Sequence, residues 1–96
     1  MDERTRVKRT ERTDCEEREQ RALARQFGRR LKVLREARGW SQTRLGAEVG
    51  VHRSYVNAIE TGGRNVTLYT MWRIARAFGV PVKNLFDRWE DEAEGV

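Results

Sequence analysis

A glycine between two short stretches of helical pattern constrains this chain more than any other feature. Residues 42–49 and 53–61 each repeat apolar side chains three or four positions apart, and the three residues between them begin with Gly50. Glycine adopts a positive φ without a steric cost, so Gly50 can end the first stretch and redirect the chain. The spacing predicts two short helices that cross at a steep angle.

The residues on either side of this turn meet the packing demands of a helix-turn-helix motif. Leu45 and Val49 supply an apolar face on the first helix, and Val56 and Ile59 supply one on the second. Gly46 is small enough to let the two helices approach closely. The other face of the second helix is then free to enter the major groove of DNA.

Capping residues and apolar stripes predict further helices around this pair. Ser41 and Thr67 are N-cap residues for the second and fourth helices, while Gly39 and Gly79 end the first and fourth. Pro81 suits the first turn of a short fifth helix that ends near residue 86 or 89. The expected stripes are Leu23, Phe27, Leu31 and Leu34 on the first helix, and Leu68, Met71, Ile74, Ala75 and Phe78 on the fourth. Because no alternation of period two occurs, the sequence predicts an all-α domain of five helices.

The chain before residue 22 is charged and almost without apolar residues, which predicts disorder for residues 1–13 in isolation. Thr13 and Glu16 have the spacing of a capping box, so a helix start at Thr13 and a start near Ala22 both stay open. We divide the chain into a charged extension (1–21) that is partly disordered or extends the first helix, a helix-turn-helix domain (22–89) and an acidic tail (90–96).

Charge is distributed unevenly and indicates the class of partner. Residues 21–88 carry fourteen basic and four acidic side chains, a net charge of +10, whereas residues 1–20 carry −1 and residues 89–96 carry −4. A domain this basic has the electrostatic footprint of a protein that binds a polyanion. Nucleic acid fits better than a membrane, because no segment combines length, apolarity and a basic amphipathic face.

Other kinds of site are disfavoured by the residues that the sequence lacks. Cys15 and His52 are the only cysteine and histidine, so neither a disulfide framework nor a zinc site can form from one chain, and no cofactor is expected. The sequence also lacks a cluster of carboxylates on a common face, away from basic residues, that would indicate the active site of an enzyme. Residues 1–21 contain no apolar run that could serve as a signal peptide, which predicts a cytoplasmic protein.

A series of short motifs runs in unbroken register through residues 26–86. They are Phe27-Gly28-Arg29-Arg30-Leu31, Leu34-Arg35, Arg38-Gly39-Trp40-Ser41-Gln42, Leu45-Gly46, Gly50-Val51-His52-Arg53-Ser54-Tyr55-Val56, Ile59-Glu60 and Arg64-Asn65-Val66-Thr67-Leu68. In this order they resemble the Xre-type helix-turn-helix family, which includes phage Cro and repressor domains and the controller proteins of restriction–modification systems. Two positions depart from the family: Gly46 stands where Ala is usual, at about 1 kcal/mol of helix propensity, and Val66 stands where Pro is frequent.

The resemblance implies a five-helix, lambda-repressor-like domain that binds double-stranded DNA as a homodimer on a two-fold operator and regulates transcription. The positions that it implies for reading bases are Arg53, Ser54, Asn57 and Ala58. The positions that it implies for the DNA backbone are Gln42, Thr43 and His52, with Gln42 near either a phosphate or an outer base. Arg35 and Glu60 match an ion pair that ties the first helix to the third.

The residue types on the second helix of the motif favour the same roles independently. With Val56 as the buried centre, a rotation of about 100° per residue puts Ser54, Asn57, Ala58 and Thr61 on the outward side, flanked by the arginine that opens the helix. Arg can bridge guanine O6 and N7, Asn can bridge adenine N6 and N7, and Ala can touch a thymine methyl group.

Further contacts are expected beside this face and at the end of the chain. Tyr55 can donate its hydroxyl to a phosphate, and Arg64 and Asn65 in the next loop are further candidates for the DNA backbone. The aromatic residues near the C-terminus exceed what so small a core needs, and large aromatics often anchor interfaces. The expected dimer interface consists of Val82, Leu85, Phe86 and Trp89.

An interaction protein, such as the antitoxin of a toxin–antitoxin pair, is the alternative class. In that case residues 1–21 would bind a protein partner, and DNA binding would be autoregulatory. Folding of residues 1–21 on a partner would favour this alternative over the first.

Overall fold

The helix-turn-helix pair forms at the positions that the glycine pattern indicates. A computed structural model describes residues 3–86, with side chains described from residue 13 onward. Its elements are α1 (Glu3–Ala37), α2 (Gln42–Val49), α3 (Arg53–Glu60), α4 (Leu68–Phe78) and a 3-10 turn at Val82–Leu85. Within residues 3–86 no strand forms, so the all-α prediction is confirmed. No helix in this part of the chain is long and apolar enough to cross a bilayer.

Local capping sets the ends of α2 and α4 as the sequence predicts. The Ser41 hydroxyl accepts a hydrogen bond from the backbone N–H of Arg44 at 3.0 Å, which fixes the start of α2. The Thr67 hydroxyl accepts an equivalent bond at the start of α4. Gly50 (φ 94°) and Gly79 (φ 72°) end the two helices in the left-handed conformation that other side chains rarely adopt.

The N-terminal extension is part of α1, which begins near the start of the chain. The helix begins at Glu3, so Thr13 lies inside it and is not an N-cap, whereas the disorder of residues 1–13 in isolation stays a prediction. The cause is composition: Arg and Glu recur along this stretch and have high helix propensity. Opposite charges also recur four positions apart, as at Asp14 and Arg18, a spacing that stabilises helices.

The C-terminal element is shorter than the fifth helix that the sequence predicts. A single 3-10 turn forms at Val82–Leu85, and Pro81 is its N-cap in an extended conformation (ψ 155°). Pro81 therefore lies before the turn and not inside a first helical turn. Trp89, the later of the two expected ends, lies outside the described residues.

Side chains from every described element meet in one core. Its members are Phe27, Leu31, Leu45, Val49, Val56, Ile59, Ile74, Ala75, Phe78 and Leu85. Leu34 and Met71 pack against it half-buried. The prediction that Leu23 and Leu68 belong to the apolar stripes that face the core is wrong, because Leu23 is 57% exposed and Leu68 is 73% exposed. Both lie near the N-terminal end of their stripe, where helical periodicity continues but the buried part of the helix has not yet begun.

Two arginines with no role predicted from the sequence tie α1 to the C-terminal part of the domain. Arg30, which is 9% exposed, directs its guanidinium at the carbonyl oxygen of Asn84 in the 3-10 turn, at 3.3 and 3.4 Å. Arg38 donates to the carbonyl oxygen of Phe78 at 2.5 Å, at the end of α4. The Trp40 ring stacks on that of Phe78 with centroids 5.5 Å apart. These contacts close the junction between α1 and α2 over the end of α4.

Candidate nucleic-acid interface

Two glycines let α3 approach its neighbours more closely than any side chain would allow. A Cβ at Gly46 of α2 would lie 2.6 Å from the carbonyl oxygen of Val51 in the turn. A Cβ at Gly28 of α1 would overlap the carbonyl of Ile59 and lie 2.7 Å from that of Glu60. In this chain the first contact leaves no space for the Ala that the resembling family usually has at position 46.

A buried ion pair joins α1 to the last turn of α3. Arg35 Nε lies 2.6 Å from Glu60 Oε2, and Arg35 Nη2 lies 3.1 Å from Glu60 Oε1, which is a bidentate arrangement. The Glu60 side chain is 3% exposed and that of Arg35 is 10% exposed. The remaining guanidinium nitrogen donates to the carbonyl oxygen of Trp40 at 2.7 Å. The hydrogen bond to Glu60 raises the pKa of Arg35 despite the opposing effect of burial, so Arg35 stays charged.

Gln42, the first residue of α2, extends this network toward the outward side of α3. Its Nε2 donates to Glu60 Oε1 at 3.0 Å and to Asn57 Oδ1 at 3.1 Å. Both hydrogens of the side-chain amide are therefore used within the protein. The backbone N–H of Gln42, at the open start of a helix, remains as the donor that could meet a phosphate.

His52 is the N-cap residue of α3. Its Nδ1 accepts a hydrogen bond from the backbone N–H of Ser54 at 3.0 Å and lies 2.8 Å from the Ser54 hydroxyl, which can donate to it. A nitrogen that accepts carries no proton, so in neutral His52 the hydrogen is on Nε2. The exposed imidazole thus has one outward donor, and the Ser54 oxygen remains an acceptor.

The outward side of α3 is polar and uncovered. Its exposed side chains are Arg53, Ser54, Asn57 and Thr61, and Ala58 is half-buried among them. Val56 and Ile59, on the opposite side, are each 2% exposed. One eight-residue helix therefore presents a core face and a solvent face.

The loop after α3 brings a cation beside this face. The guanidinium carbon of Arg64 lies 5.2 Å from the centre of the Tyr55 ring, a cation–π distance. Tyr55 is half-buried, while Arg64, Asn65 and Thr43 are exposed. Three of the residues that the sequence predicts at the DNA backbone are thus accessible, and Tyr55 is partly covered.

The expected dimer surface is only partly available. Leu85 is 1% exposed and belongs to the core, so its assignment to an interface is wrong. The 3-10 turn directs it inward, where it packs with the other core residues. Val82 is half-buried, and Phe86 is 40% exposed with its ring 5.4 Å from that of Phe27.

α4 carries an aromatic and basic surface that was not predicted from the sequence. The rings of Tyr69 and Trp72 stack with centroids 5.9 Å apart. Arg73 lies 5.4 Å from the Tyr69 ring, and Arg76 lies 5.0 Å from the Trp72 ring. The spacing of four between each arginine and its aromatic partner was the available signal, since such pairs face each other on a helix.

Among the residues with described side chains, no group of three or more His, Cys, Asp or Glu could hold a metal ion. Cys15 is exposed on α1, with a guanidinium nitrogen of Arg18 at 3.5 Å from its sulfur.

Comparison with known proteins places this geometry among related domains. A model of the Helix-turn-helix family (HTH_3) matches residues 31–85, which contain all of α2, α3 and α4. The Control protein C.BamHI of Bacillus amyloliquefaciens is 39% identical over 62 residues, covering 64% of this chain and 76% of that protein. The Control protein C.MunI of Mycoplasma sp is 37% identical over 67 residues, covering 69% and 90%. The crystal structure of the restriction-modification controller protein C.AhdI from Aeromonas hydrophila is similar with a TM-score of 0.66 and 42% identity, covering 68% of this chain and 98% of that chain.

Proposed function

The chain belongs to the Helix-turn-helix family of DNA-binding transcription regulators, and from that premise we propose that it reads a two-fold operator as a homodimer, with α3 in the major groove. The outward side of α3 carries this proposal. Its exposed polar side chains stand on a helix that close glycine contacts and a buried ion pair hold in one position. Reading bases requires such fixed donors and acceptors, because hydrogen-bond geometry distinguishes one base edge from another.

The proposed roles follow from where the donors lie. The base-reading residues are Arg53, Ser54, Asn57 and Ala58. The residues at the DNA backbone are Thr43, His52, Tyr55, Arg64 and Asn65, with the backbone N–H of Gln42. Phosphate contacts fix the register of a protein on DNA, whereas contacts to base edges select the sequence.

A role as a controller of restriction–modification genes is the finer form of the proposal. It is supported by the similarity to two control proteins and to the controller protein C.AhdI, which the chain covers over 76%, 90% and 98% of their lengths. The chain therefore matches these relatives over most of their extent and not through a shared fragment.

Dimerisation is proposed through the surface around Val82 and Phe86, together with Trp89 outside the described residues. A two-fold protein fits two half-sites about 34 Å apart, one turn of DNA. The exposed ring of Phe86 supports this choice, because a large aromatic side chain can anchor an interface. Sedimentation should show a dimer at high micromolar concentration. A monomer at that concentration, with and without DNA, would contradict the proposal.

Selection from random duplexes tests the reading function. The purified chain should retain duplexes that share one sequence with two related half-sites, centred about 10 base pairs apart. Arg53→Ala should lose that enrichment at one base pair in each half-site. Arg29→Ala is the matched control, since it removes an exposed arginine from α1, outside the helix that is proposed to enter the groove. Enrichment that falls equally in both variants would show that charge alone drives binding.

A protein-binding role for residues 1–21 remains a second prediction. One observation favours it: the side chains of residues 13–21 are all exposed along α1, so that this stretch of helix is uncovered. A protein that co-purifies with the full chain and disappears when residues 1–21 are deleted would support it. If the deletion variant still selected the same DNA sequence, protein binding by residues 1–21 and DNA reading by α3 would be separate roles.

A further inference from the structure

We infer that the buried ion pair sets the base preference of Asn57. Acting through Gln42, it turns the donor end of the Asn57 amide outward, so that Asn57 reads a base that presents acceptors, guanine above all. The inference rests on the proposed function, because it requires the outward side of α3 to meet base edges. It changes the sequence-based expectation, in which Asn57 bridges adenine N6 and N7.

The chain of hydrogen bonds begins at a group that can only accept. Glu60, paired with the charged Arg35, is a carboxylate and has no hydrogen to donate. The Gln42 atom that lies 3.0 Å from Glu60 Oε1 must therefore be the amide nitrogen, because the amide oxygen would face the carboxylate with no hydrogen between them. The two ends of a side-chain amide are assigned from their hydrogen bonds, and here a fixed charge decides the assignment.

The second hydrogen of the same nitrogen passes this orientation to Asn57. Gln42 Nε2 lies 3.1 Å from the Asn57 amide. An amide nitrogen cannot accept, so Asn57 must turn Oδ1 toward Gln42. Its Nδ2, with two hydrogens, then lies on the side away from Gln42. Asn57 is exposed, and this donor is available to a base in the groove.

An outward amide nitrogen matches some base edges better than others. Guanine presents two acceptors, N7 and O6, to which one NH2 group can donate, and thymine presents one, O4. Adenine presents an acceptor beside a donor, so bridging it needs both Oδ1 and Nδ2 at the base edge. Cytosine presents only the N4 donor. With Oδ1 directed at Gln42, we expect Asn57 to favour guanine most and cytosine least among the four bases.

Gln42 is in this respect a positioning residue and differs from a phosphate clamp. It is half-buried between the start of α2 and the side of α3, and both of its amide hydrogens are engaged within the protein. Removal of a phosphate clamp weakens binding to every sequence alike. Removal of a positioning residue changes the preference at one base pair.

The test measures affinity of the full chain for four duplexes that differ only at the base pair read by Asn57. That pair is identified as the one whose preference disappears in Asn57→Ala. The wild-type chain should prefer guanine over adenine by roughly 5- to 150-fold, the range of one good base contact. Gln42→Ala should bring guanine and adenine toward equal affinity, because Asn57 is then free to turn.

Asn57→Asp is the matched variant for the same point. It keeps an oxygen for Gln42 but presents an acceptor outward, so the preference should move to the bases with a major-groove donor, cytosine and adenine. Position 57 is exposed, so folding is not at risk. In an Asn57→Ala background, Gln42→Ala should change no base preference further, since the residue that it positions is absent.

Two results would overturn the inference, and a third would contradict the proposed function on which it rests. A wild-type preference for adenine at this pair would contradict the donor-out orientation. If Gln42→Ala weakened all four duplexes by one factor and kept the guanine preference, Gln42 would be a backbone contact. A wild-type chain that bound all duplexes equally, at this and every other base pair, would contradict the proposed function itself.

Discussion

The two sides of α3 differ in what they contact and should differ in what they control. On the inner side, Val56 and Ile59 are 2% exposed and Glu60 is 9% exposed, all packed against α1 and α2. On the outer side, Arg53 and Asn57 are exposed and take no part in the core. One helix of eight residues thus has a stabilising side and an exposed side, linked by the hydrogen bonds that Gln42 donates to Glu60 and Asn57. Substitutions on the inner side should change unfolding and, at Glu60, also the base preference of Asn57, whereas those on the outer side should change DNA binding alone.

The largest expected effect lies on the inner side, at Glu60. Glu60→Ala should lower the free energy of unfolding by about 3 kcal/mol, because it leaves the Arg35 guanidinium buried without its partner. Chemical denaturation measures this directly. The exposed pair Arg44–Glu48, at 2.8 Å, is the matched control. Glu48→Ala should cost at most about 0.5 kcal/mol. A melting temperature of Glu60→Ala within about a degree of wild type would show that the buried pair contributes no more than a surface contact.

The next effect concerns the close approach of α2 and the turn. Gly46→Ala should destabilise the domain by about 1–3 kcal/mol, because the added Cβ meets the Val51 carbonyl, although Ala favours the helix by about 1 kcal/mol. Ala47→Gly, the reverse exchange at the exposed neighbouring position, reports the propensity term alone. If Gly46→Ala instead raised the free energy of unfolding by about 1 kcal/mol, the gain in helix propensity, then α2 and the turn would have room to move apart.

On the outer side, Arg53→Ala should weaken binding to the selected operator by about 1–3 kcal/mol and relax the preference at one base pair per half-site. Its free energy of unfolding should match that of wild type, since the side chain is exposed. Affinity for the operator and for a scrambled duplex, measured in parallel with denaturation, checks both parts. A decrease in stability would show that the outer side of α3 also contributes to the stability of the fold.

The smallest effect is expected in the loop after α3. Arg64→Ala should weaken binding to operator and random DNA alike, because a phosphate contact carries no sequence information. The plot of log affinity against log salt should flatten by about one unit for each phosphate that the variant no longer neutralises. Titrations at several salt concentrations on both duplexes measure it. A decrease in affinity confined to the operator would move Arg64 to the base-reading group.

The parts of the fold that were predicted from the sequence are those determined by a few neighbouring residues. The bounds of α2 depend on the hydroxyl of Ser41 and the positive φ of Gly50, and both are local properties of their residue types. The same holds for Thr67 and Gly79 at α4. Core positions in α3 followed from helical periodicity, because α3 is short and is packed along its whole length.

The wrong predictions of burial have a different physical origin. They concern which part of a helix or turn is packed against its neighbours. Leu23 and Leu68 continue an apolar stripe that the packing does not reach, and Leu85 is drawn into the core by a turn too short to be recognised. The hydrogen bonds of Gln42 join residues that are 15 and 18 positions apart. Such partners depend on how helices pack, which periodicity and capping do not specify. The domain boundaries, the DNA contacts and the remaining dimer residues stay predictions.

Protection of guanine N7 from methylation tests most directly whether the outward side of α3 reads the major groove. The N7 atom lies in that groove, whereas adenine N3 lies in the minor groove. We expect the wild-type chain to protect guanine N7 in two groups about 10 base pairs apart on the selected operator. In Arg53→Ala, one protected guanine per half-site should become reactive while the others stay protected. Protection of adenine N3 alone, or N7 protection that is unchanged in Arg53→Ala, would contradict the central claim.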